Sequence, residues 1–346
     1  MTSEPPHAPS PRFLEVFERQ ADAAGVMTFA RFVDLALYDP AVGYYSRARP
    51  RIGRGPATDF YTAPALGPVF GELVADAAAT LLHPAMPAAH TFVEIGVEPP
   101  APGGSVRPAS GATLAGVAHP FAAATTVSLG QPVAIPPRAV VFANELFDAQ
   151  PFHRLVFLGG AWRESGVARQ GGALGEVLLA ELSPAVQSVR DLLPASAPEG
   201  YRIDLPLAAA RLAGRIAAAP WSGLFIAIDY GKPWLELVTA TPAGTARAYH
   251  RHRQGDDLLA RPGEQDLTCH VCWDWLTREL AAHGFAAPVL ESQEAFFVHH
   301  SARMLQDLTE AGAGGLNPRK LALMQLLHPG NMGQKFQVLW ARRGPA

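Results

Sequence analysis

Three polar side chains with the chemistry to hold a cationic or hydrogen-bonding ligand follow a short apolar run. Residues 139–143 are AVVFA, and Asn144, Glu145 and then Asp148 come after them. Such a run is typical of a strand buried on both faces of a parallel sheet. Because ligands of open α/β sheets bind at the carboxyl ends of strands, the spacing predicts two carboxylates and an amide in a binding crevice. The alternative is that Asn144 caps a turn and both acids are solvated.

Two further apolar runs predict strands that end in polar or flexible residues. Residues 91–96 are TFVEIG, and residues 223–230 are GLFIAIDY. They place Glu94 and Gly96 after one strand and Asp229 after the other. A Rossmann-like fold would carry its nucleotide loop after Gly96, so these residues are expected at the same edge of the sheet as Glu145.

Two loops carry the remaining candidate ligand contacts. Asp59 and Thr62 lie in a segment broken by glycine and proline, and His252, Asp266 and His270 lie in the polar segment 251–271. Loops held by a rigid scaffold often supply binding residues. The alternative for Asp59 is an ordered surface loop in which its carboxylate bonds its own backbone.

The elements that would position these residues alternate between helix and strand. Helical spacing is found at 13–24, 29–37, from about 66, and at 184–193, 205–218, 272–283, 301–310 and 318–327. Strands are predicted at 91–96, 127–129, 139–143, 155–158, 223–230, 245–249, 294–299 and 335–341, with a hairpin region at 159–175. This alternation predicts an α/β fold with a mostly parallel sheet, in which one late strand runs antiparallel at an edge.

Composition narrows the class of protein. The chain has 346 residues, of which 49% are hydrophobic, so a globular fold with a sizeable core is expected. A net charge of −3 argues against a broad nucleic-acid-binding surface. No apolar run is long enough to span a bilayer, and the N-terminus lacks the pattern of a secretion signal, so no membrane partner is expected. The two cysteines form no disulfide framework, and a cytoplasmic location is expected.

Metal and hydrolase chemistry have weak support in the sequence. Cys269 and Cys272 form a single C-x-x-C pair without a second pair, and no acid at a suitable spacing completes His250 with His252 or His299 with His300. There is no G-x-S-x-G segment. The sequence therefore predicts neither a metal site nor a serine hydrolase.

Several longer segments together resemble one protein family. They run in family order over nearly the whole chain and are ALYDPAVGYY, IGRG, DFYTAP, FVEIG, FANELFDAQPFHR, IDYG, GTARAYHRHR, PGEQDLTCHV and NMGQKF. They resemble the MidA family of S-adenosylmethionine-dependent methyltransferases, whose mitochondrial member is an arginine methyltransferase that assists assembly of respiratory complex I.

The resemblance implies a Rossmann-like methyltransferase core with a mostly parallel sheet. It implies an N-terminal helical cover over residues 1–85 and a methyltransferase domain over 86–346, with inserted loops and a hairpin near 159–200. The implied cofactor is S-adenosylmethionine, and the implied partner is a protein that carries the target arginine. The implied site residues are Asn144, Glu145 and Asp148 for catalysis, Glu94, Gly96, Asp59, Thr62 and Asp229 for the cofactor, and His153, His252, Asp266 and His270 on the substrate side.

The chemistry of arginine explains why carboxylates would be needed. A free guanidinium stays protonated and is recognised by carboxylates through paired hydrogen bonds. Glu145 and Asp148 would hold it, localise its charge on the contacted nitrogens, and aim the remaining nitrogen along the line of attack.

The sequence departs from the family pattern in the cofactor loop. The family has glycines where Glu98 and Pro100 stand, no acid lies between Glu98 and Glu145, and only fifty positions separate Glu94 from Asn144. Two interpretations follow. The chain is a working methyltransferase with an altered loop, or it is a non-catalytic relative that acts as a protein-binding or assembly factor.

Overall fold

The computed structural model describes residues 8–47, 51, 58–59, 63–97, 112–128, 131–310 and 317–344. The helices are α1 (Pro11–Gln20), α2 (Phe29–Tyr38), α3 (Pro68–Leu82), α4 (Pro184–Gln187), α5 (Leu207–Ala218), α6 (Trp234–Thr239), α7 (Trp273–Ala282), α8 (Gln293–His300), α9 (Ala302–Glu310) and α10 (Pro318–Leu327). The strands are β1 (Val26–Thr28), β2 (Thr91–Val97), β3 (Ala123–Ser128), β4 (Arg138–Asn144), β5 (His153–Leu158), β6 (Ala161–Gln170), β7 (Ala173–Leu178), β8 (Arg202–Leu205), β9 (Ser222–Asp229), β10 (Gly231–Lys232), β11 (Arg247–His250), β12 (Arg253–Gly255), β13 (Asp266–Thr268), β14 (Val271–Cys272), β15 (Ala286–Ser292) and β16 (Gln337–Arg343).

The chain is divided into two compact units by its internal contacts. The first unit is Met1–Phe60, Asp148–Ala210 and Lys232–Cys272, and the second is Tyr61–Phe147, Arg211–Gly231 and Trp273–Ala346. This division differs from the predicted cover over residues 1–85, because α3 packs within the second unit. The ring of Phe70 in α3 contacts those of Phe142 and Phe297. The predicted insertion near 159–200 lies within the first unit.

The second unit is built on a six-stranded sheet with the order β15-β16-β9-β4-β2-β3. Strands β3, β2, β4 and β9 run parallel, whereas β16 is antiparallel to both β9 and β15. The apolar run at 139–143 is buried throughout β4, as its composition predicts. The sheet is therefore mixed, with a parallel half that carries the predicted strand ends.

The first unit consists of antiparallel sheets and the N-terminal helices. One sheet has the order β1-β6-β5-β8 with β7 paired to β6, and a second has the order β12-β11-β13. The hairpin predicted at 159–175 is the pair β6–β7. The helices α1 and α2 bury phenylalanines in the core of this unit, where Phe29 packs against Phe152 at 5.7 Å between ring centroids.

The predicted strand at 294–299 is wrong, because these residues belong to α8. Ser292 caps this helix by accepting a hydrogen bond from the Ala295 amide, and Glu294 lies in its first turn. The edge strand is instead β15, which the sequence analysis missed. It contains Pro288 and a register shift between Ala286 and Val289, both of which are tolerated at the edge of a sheet.

Other element boundaries differ in detail. The first helix ends at Gln20, since Ala21 has an extended conformation. The predicted helix at 184–193 is the short α4 followed by a 3-10 turn at Arg190–Leu192. In contrast, Thr28 caps α2 as its position suggests. Among the described residues, no helix is long and apolar enough to cross a membrane.

Candidate functional site

The carboxyl ends of three parallel strands meet at one edge of the sheet in the second unit. Strand β4 lies between β2 and β9, with Ile95 opposite Ala143 and Asn144 opposite Ile228. This arrangement brings together the predicted residues at the strand ends, which are Glu94, Gly96, Asn144, Glu145 and Asp229. We call this set the strand-end cluster. The apolar strand patterns predicted these strand ends, but Asp148, the second carboxylate predicted after β4, belongs to the first unit.

Gly96 allows the backbone at the end of β2 to take a conformation that other residues disfavour. Its φ angle is +95°, and a Cβ atom at this position would lie 2.8 Å from Cδ1 of Leu146. The pairing with β3 also shifts register between Ile95 and Val97. A side chain here would therefore be strained and would collide with the segment that follows β4.

Glu94 is a buried carboxyl group that holds its proton unusually well. Only 5% of the residue is exposed. Its Oε2 accepts a hydrogen bond from the Thr113 amide at 2.7 Å, and its Oε1 accepts one from the Thr113 hydroxyl at 2.6 Å. Burial raises the pKa of Glu94 to about 7, although both hydrogen bonds favour the ionised form. Glu94 therefore titrates near neutral pH.

Asn144 and Glu145 form a strained turn at the end of β4. Glu145 has a φ angle of +50°, and its amide donates to the carbonyl of Ile228 at 2.9 Å. The Asn144 side-chain amide donates to Oε1 of Glu145 at 3.1 Å. The buried Oδ1 of Asn144 has no hydrogen-bond partner among the described residues. A buried acceptor without a protein partner, beside a residue with a strained backbone, is typical of a ligand site.

Asp229 fixes the segment that carries Glu145. It is fully buried, and its Oδ2 accepts a hydrogen bond from the Phe147 amide at 2.9 Å. Its Oδ1 accepts one from the Tyr230 amide at 2.8 Å. The cofactor role predicted for Asp229 remains a prediction, and these bonds give it a positioning role within the strand-end cluster.

We expect Asp229→Asn to lower the free energy of unfolding by about 2–3 kcal/mol. The side-chain NH₂ of asparagine would face the backbone N–H of either Phe147 or Tyr230, and a backbone N–H cannot act as an acceptor. Urea denaturation measures the change. Asp76→Asn is a matched control, because Asp76 Oδ2 accepts from the Met304 amide and an asparagine oxygen can replace it. Equal losses in both variants would contradict the positioning role.

In the first unit, Asp59 holds a strained hairpin turn. The carboxylate is fully buried, its Oδ2 accepts from the Tyr44 hydroxyl at 2.7 Å, and its Oδ1 accepts from the Arg251 amide at 2.8 Å. The Asp59 carbonyl accepts from the His252 amide at 2.8 Å. Arg251 and His252 have φ angles of +48° and +61° in the two-residue turn between β11 and β12. Such turns favour asparagine and glycine, so Asp59 stabilises an intrinsically poor turn sequence.

These contacts contradict the alternative in which the Asp59 carboxylate bonds its own backbone, and the cofactor role predicted for Asp59 stays a prediction. The carboxylate bonds residues far away in the chain and is not solvated. His252 also contacts Thr58, with 3.1 Å between Nε2 and the hydroxyl oxygen. Thr62, predicted beside Asp59, lies outside the described residues.

Asp59→Ala should lower the free energy of unfolding by about 3 kcal/mol, since it leaves the Arg251 amide and the Tyr44 hydroxyl without an acceptor. Asp59→Asn should cost less, because the tyrosine hydroxyl can reverse and accept. Chemical denaturation tests the order, with Asp256→Asn as a surface control whose side chain is 88% exposed. A loss in Asp59→Ala no larger than in the control would refute this role.

Two further predicted acids lie among tyrosines in the first unit. Asp266 accepts from the Tyr45 hydroxyl at 3.1 Å, and Tyr45 stacks on Tyr38 at 5.4 Å. Burial raises the pKa of Tyr38 well above its usual value, and the charges of Asp266 and Asp148 raise it further. Asp148 is itself buried, and its carbonyl accepts from the Cys269 amide at 2.8 Å. These tyrosines therefore remain protonated donors, and Asp148 is not solvated.

The remaining substrate-side candidates, His153 and His270, are buried in the first unit. His153 is 6% exposed, and its Nδ1 lies 2.8 Å from Oε1 of the buried Glu164. Burial lowers the pKa of His270 to about 4, and the charges of Lys232 and Arg247 act in the same direction. Its buried Nδ1 has no partner among the described residues. His270 is therefore a neutral imidazole at neutral pH.

A cavity of about 440 Å³ in the first unit is lined by three arginines and two glutamines, together with His250, Asp257 and three small residues. Its lining includes His250, Arg251, Arg253, Arg261 and Gln265. Burial lowers the pKa of His250, and the charges of Arg261 and Arg251 contribute to the same shift. The arginines therefore supply the positive charge of this cavity, which suits anionic groups.

Sequence reasoning missed several residues that support the candidates. Thr113, which binds Glu94, lies in a segment interpreted as loop, and its role depends on a contact across nineteen positions. Leu146 faces Gly96 from the apolar part of the NELFD segment. The only sequence signal for Leu146 was its position in a segment that resembles the family. Cys269 and Cys272 are both buried and form no disulfide, and burial raises the pKa of the Cys269 thiol well above its usual value.

Part of the chain matches a protein-family model. Residues 124–290 match the family described as "putative S-adenosyl-L-methionine-dependent methyltransferase". The chain is 26% identical over 211 residues to the protein arginine methyltransferase NDUFAF7 homolog, mitochondrial, of Drosophila melanogaster. That match covers 58% of this chain and 46% of the relative, so it spans less than half of the relative's length.

Solved structures show the same fold. A Burkholderia thailandensis protein crystallised with S-adenosyl-homocysteine is 25% identical, with a TM-score of 0.80 over 98% of this chain and 95% of that one. A native crystal structure from the same organism is 24% identical, with a TM-score of 0.78 and the same coverage. The match extends over almost the full length of both chains and therefore includes both units.

Proposed function

Because the chain belongs to the MidA-like family of S-adenosyl-L-methionine-dependent methyltransferases, we propose that it binds this cofactor at the strand-end cluster and methylates an arginine of a protein substrate. The parallel half of the six-stranded sheet serves as its Rossmann-like core. The observation that carries the proposal is the buried Oδ1 of Asn144, which has no hydrogen-bond partner among the described residues, in the same cluster as the positive φ angle of Gly96.

The donor and acceptor chemistry of the strand-end cluster fits the cofactor. The cofactor's ammonium group, hydroxyls and adenine amine are hydrogen-bond donors, and Glu94, Asn144 and Glu145 present acceptor oxygens. Gly96 gives the end of β2 a positive φ angle that other residues disfavour. When bound, the cofactor would supply an electrophilic methyl group on a sulfonium sulfur.

Glu145 has the chemistry required for an arginine substrate. A carboxylate binds two N–H groups of a guanidinium and fixes the direction of the third nitrogen. The proton released when that nitrogen takes the methyl group would pass to the carboxylate from one of the two N–H groups it binds. The strained turn of Glu145, held through Asp229, would preorganise this carboxylate. Asp148, in the first unit, stays a predicted catalytic residue, and Tyr38 and Tyr45 of the same unit present aromatic faces suited to a planar cation.

The arginine assignment rests on a distant relative. The Drosophila protein is named as a protein arginine methyltransferase, at 26% identity and with less than half of its length matched. The carboxylates at positions 145 and 148 agree with that substrate class on chemical grounds. The proposed partner is accordingly a protein, and the proposed location is cytoplasmic.

A second candidate function is protein binding without catalysis. Strand β3 ends at Ser128, whose amide lies 3.4 Å from Oε1 of Gln131. The sequence has no acid near this strand end that could bind ribose hydroxyls. Glu98 and Pro100 replace family glycines, and both lie outside the described residues. These features favour an assembly factor that has lost cofactor binding.

Cofactor binding separates the two functions. Calorimetry and thermal denaturation with S-adenosylmethionine and S-adenosyl-homocysteine should reveal binding, since ligand at 100 times its Kd stabilises a fold by about 2.7 kcal/mol. Asn144→Leu should weaken binding at least tenfold, whereas Gln306→Leu on the surface of α9 should not. Absence of binding at millimolar cofactor would reject the enzyme and favour the assembly factor.

Methyl transfer needs its own assay. Tritiated cofactor is incubated with the protein and a cell extract, and the labelled proteins are hydrolysed to amino acids. Labelled methylarginine would support the arginine substrate. Label in another amino acid would retain the methyltransferase and reject arginine, and cofactor binding without any label would reject turnover.

A further inference from the structure

Two histidines and a glutamate in the second unit come together outside the strand-end cluster. Nδ1 of His299 lies 2.6 Å from Oε1 of Glu291, and Nε2 of His300 lies 3.0 Å from Oε2 of the same carboxylate. One potential ligand atom from each residue lies within 4.8 Å of the other two. We propose that these residues bind a zinc-like divalent transition-metal ion.

The helical conformation of residues 293–300 makes this cluster possible. In a strand, His299 and His300 would point to opposite faces of the sheet. In α8, neighbouring side chains are only about 100° apart around the axis, so both imidazoles reach one carboxylate. The expectation that no acid completes this histidine pair is therefore wrong, because Glu291 at the end of β15 contacts both rings.

The three side chains have the types that divalent zinc prefers. Two imidazoles and one carboxylate are a common set of three protein ligands for zinc, with water in the fourth position. In a tetrahedral site with bonds of about 2.1 Å, ligand atoms are about 3.4 Å apart. The observed separations of 2.6 and 3.0 Å, one to each oxygen of Glu291, are shorter than this by less than about 1 Å, and all three ligand atoms lie within 4.8 Å of one another.

Neighbouring aromatic groups hold two of the ligands in place. The indole of Trp340 donates to Oε2 of Glu291 at 2.8 Å. The ring of His300 lies 5.2 Å from that of Phe296 and 5.4 Å from that of Trp340. Outer contacts of this kind orient metal ligands and strengthen binding. The His299 side chain is 59% exposed, which leaves the site accessible to an ion and to water.

The site would join the edge strand β15 to α8. Its residues do not belong to the strand-end cluster, so the inference goes beyond the proposed function and does not depend on it. The bound ion would hold β15 and α8 together.

Calorimetry on the full chain without a histidine tag, treated with chelator and titrated with zinc chloride, tests the proposal. We expect one equivalent of zinc to bind. Glu291→Gln and His300→Gln should each weaken binding at least tenfold, and Trp340→Phe should weaken it about tenfold because it removes only the orienting bond. Cobalt(II) should give visible absorption bands typical of a four-coordinate site.

Two controls exclude other binding sites. His283→Gln removes a histidine whose Nδ1 lies 2.8 Å from the Glu279 carbonyl, and it should bind zinc as the wild type does. A Cys269→Ser, Cys272→Ser double variant should also retain binding. Glu291→Gln preserves shape and an acceptor for Trp340, so its fold can be verified by circular dichroism even if His300→Gln misfolds. No zinc binding, equal affinity in Glu291→Gln, or loss only in the cysteine variant would overturn the proposal.

Discussion

Glu94→Gln is expected to raise the free energy of unfolding at pH 8 by about 3 kcal/mol and to leave it unchanged below pH 4. The pKa of Glu94 is about 7 in the folded protein, against an ordinary value of 4.5. Since the folded pKa is raised, the unfolded chain loses its proton first, and the wild type loses stability as the pH rises from about 4.5 to 7. A glutamine cannot ionise and avoids this loss of about 3 kcal/mol.

Glutamine also fits the contacts of the protonated acid. Its carbonyl oxygen can accept the Thr113 amide, and its NH₂ can donate to the Thr113 hydroxyl oxygen. Urea denaturation at pH 4, 6 and 8 measures the prediction, with Glu310→Gln at the exposed end of α9 as the control. A variant less stable than the wild type at pH 8 would show instead that an ionised Glu94 stabilises the fold through Thr113.

The same variant tests whether Glu94 has a role in cofactor binding. Under the proposed function, Glu94→Gln should bind S-adenosylmethionine more weakly although its fold is more stable. A residue that costs stability and supports binding is typical of a functional site. If affinity were unchanged, Glu94 would have no part in cofactor binding.

The strand-end cluster was predictable because it depends on local patterns. Buried parallel strands have continuous apolar sequences, and their carboxyl ends share one edge of the sheet. These two rules place Glu94, Asn144 and Asp229 together without knowledge of the fold. They do not show that Asp229 bonds backbone amides or that Glu145 has a positive φ angle, because both depend on the path of the chain after the strand.

The error at residues 294–299 has a local physical cause. Phe296, Phe297 and Val298 favour strands by intrinsic preference, but that preference is weaker than packing and capping. The Ser292 cap and the acid in the first turn were signals of a helix that the apolar run outweighed. Pro288 then concealed β15, because proline is expected only in an edge strand.

The contacts of the first unit could not be predicted from the sequence. Asp59 meets Arg251 across 192 positions, and Tyr45 meets Asp266 across 221. The unit is assembled from three separate segments of the chain. Neither the spacing of apolar residues nor a short motif encodes contacts between such distant positions. The family segments indicated only that these residues belong to one functional region.

Glu145 gives the sharpest test of the proposed chemistry, because stability and activity should change in opposite directions. Glu145→Gly should raise the free energy of unfolding by about 1 kcal/mol, since glycine adopts a φ angle of +50° without the strain of a side chain. Under the proposed function, its rate of arginine methylation should fall by about 100-fold or more, because the guanidinium loses the carboxylate that orients it.

Glu145→Gln separates charge from shape. It retains the side-chain length and an oxygen for the Asn144 amide, so its stability should stay within about 0.5 kcal/mol of the wild type. It cannot accept a proton or balance a guanidinium charge, and its methylation rate should also fall about 100-fold while cofactor affinity changes little. A full rate in Glu145→Gln would exclude Glu145 as the arginine anchor and leave Asp148 as the carboxylate to test next.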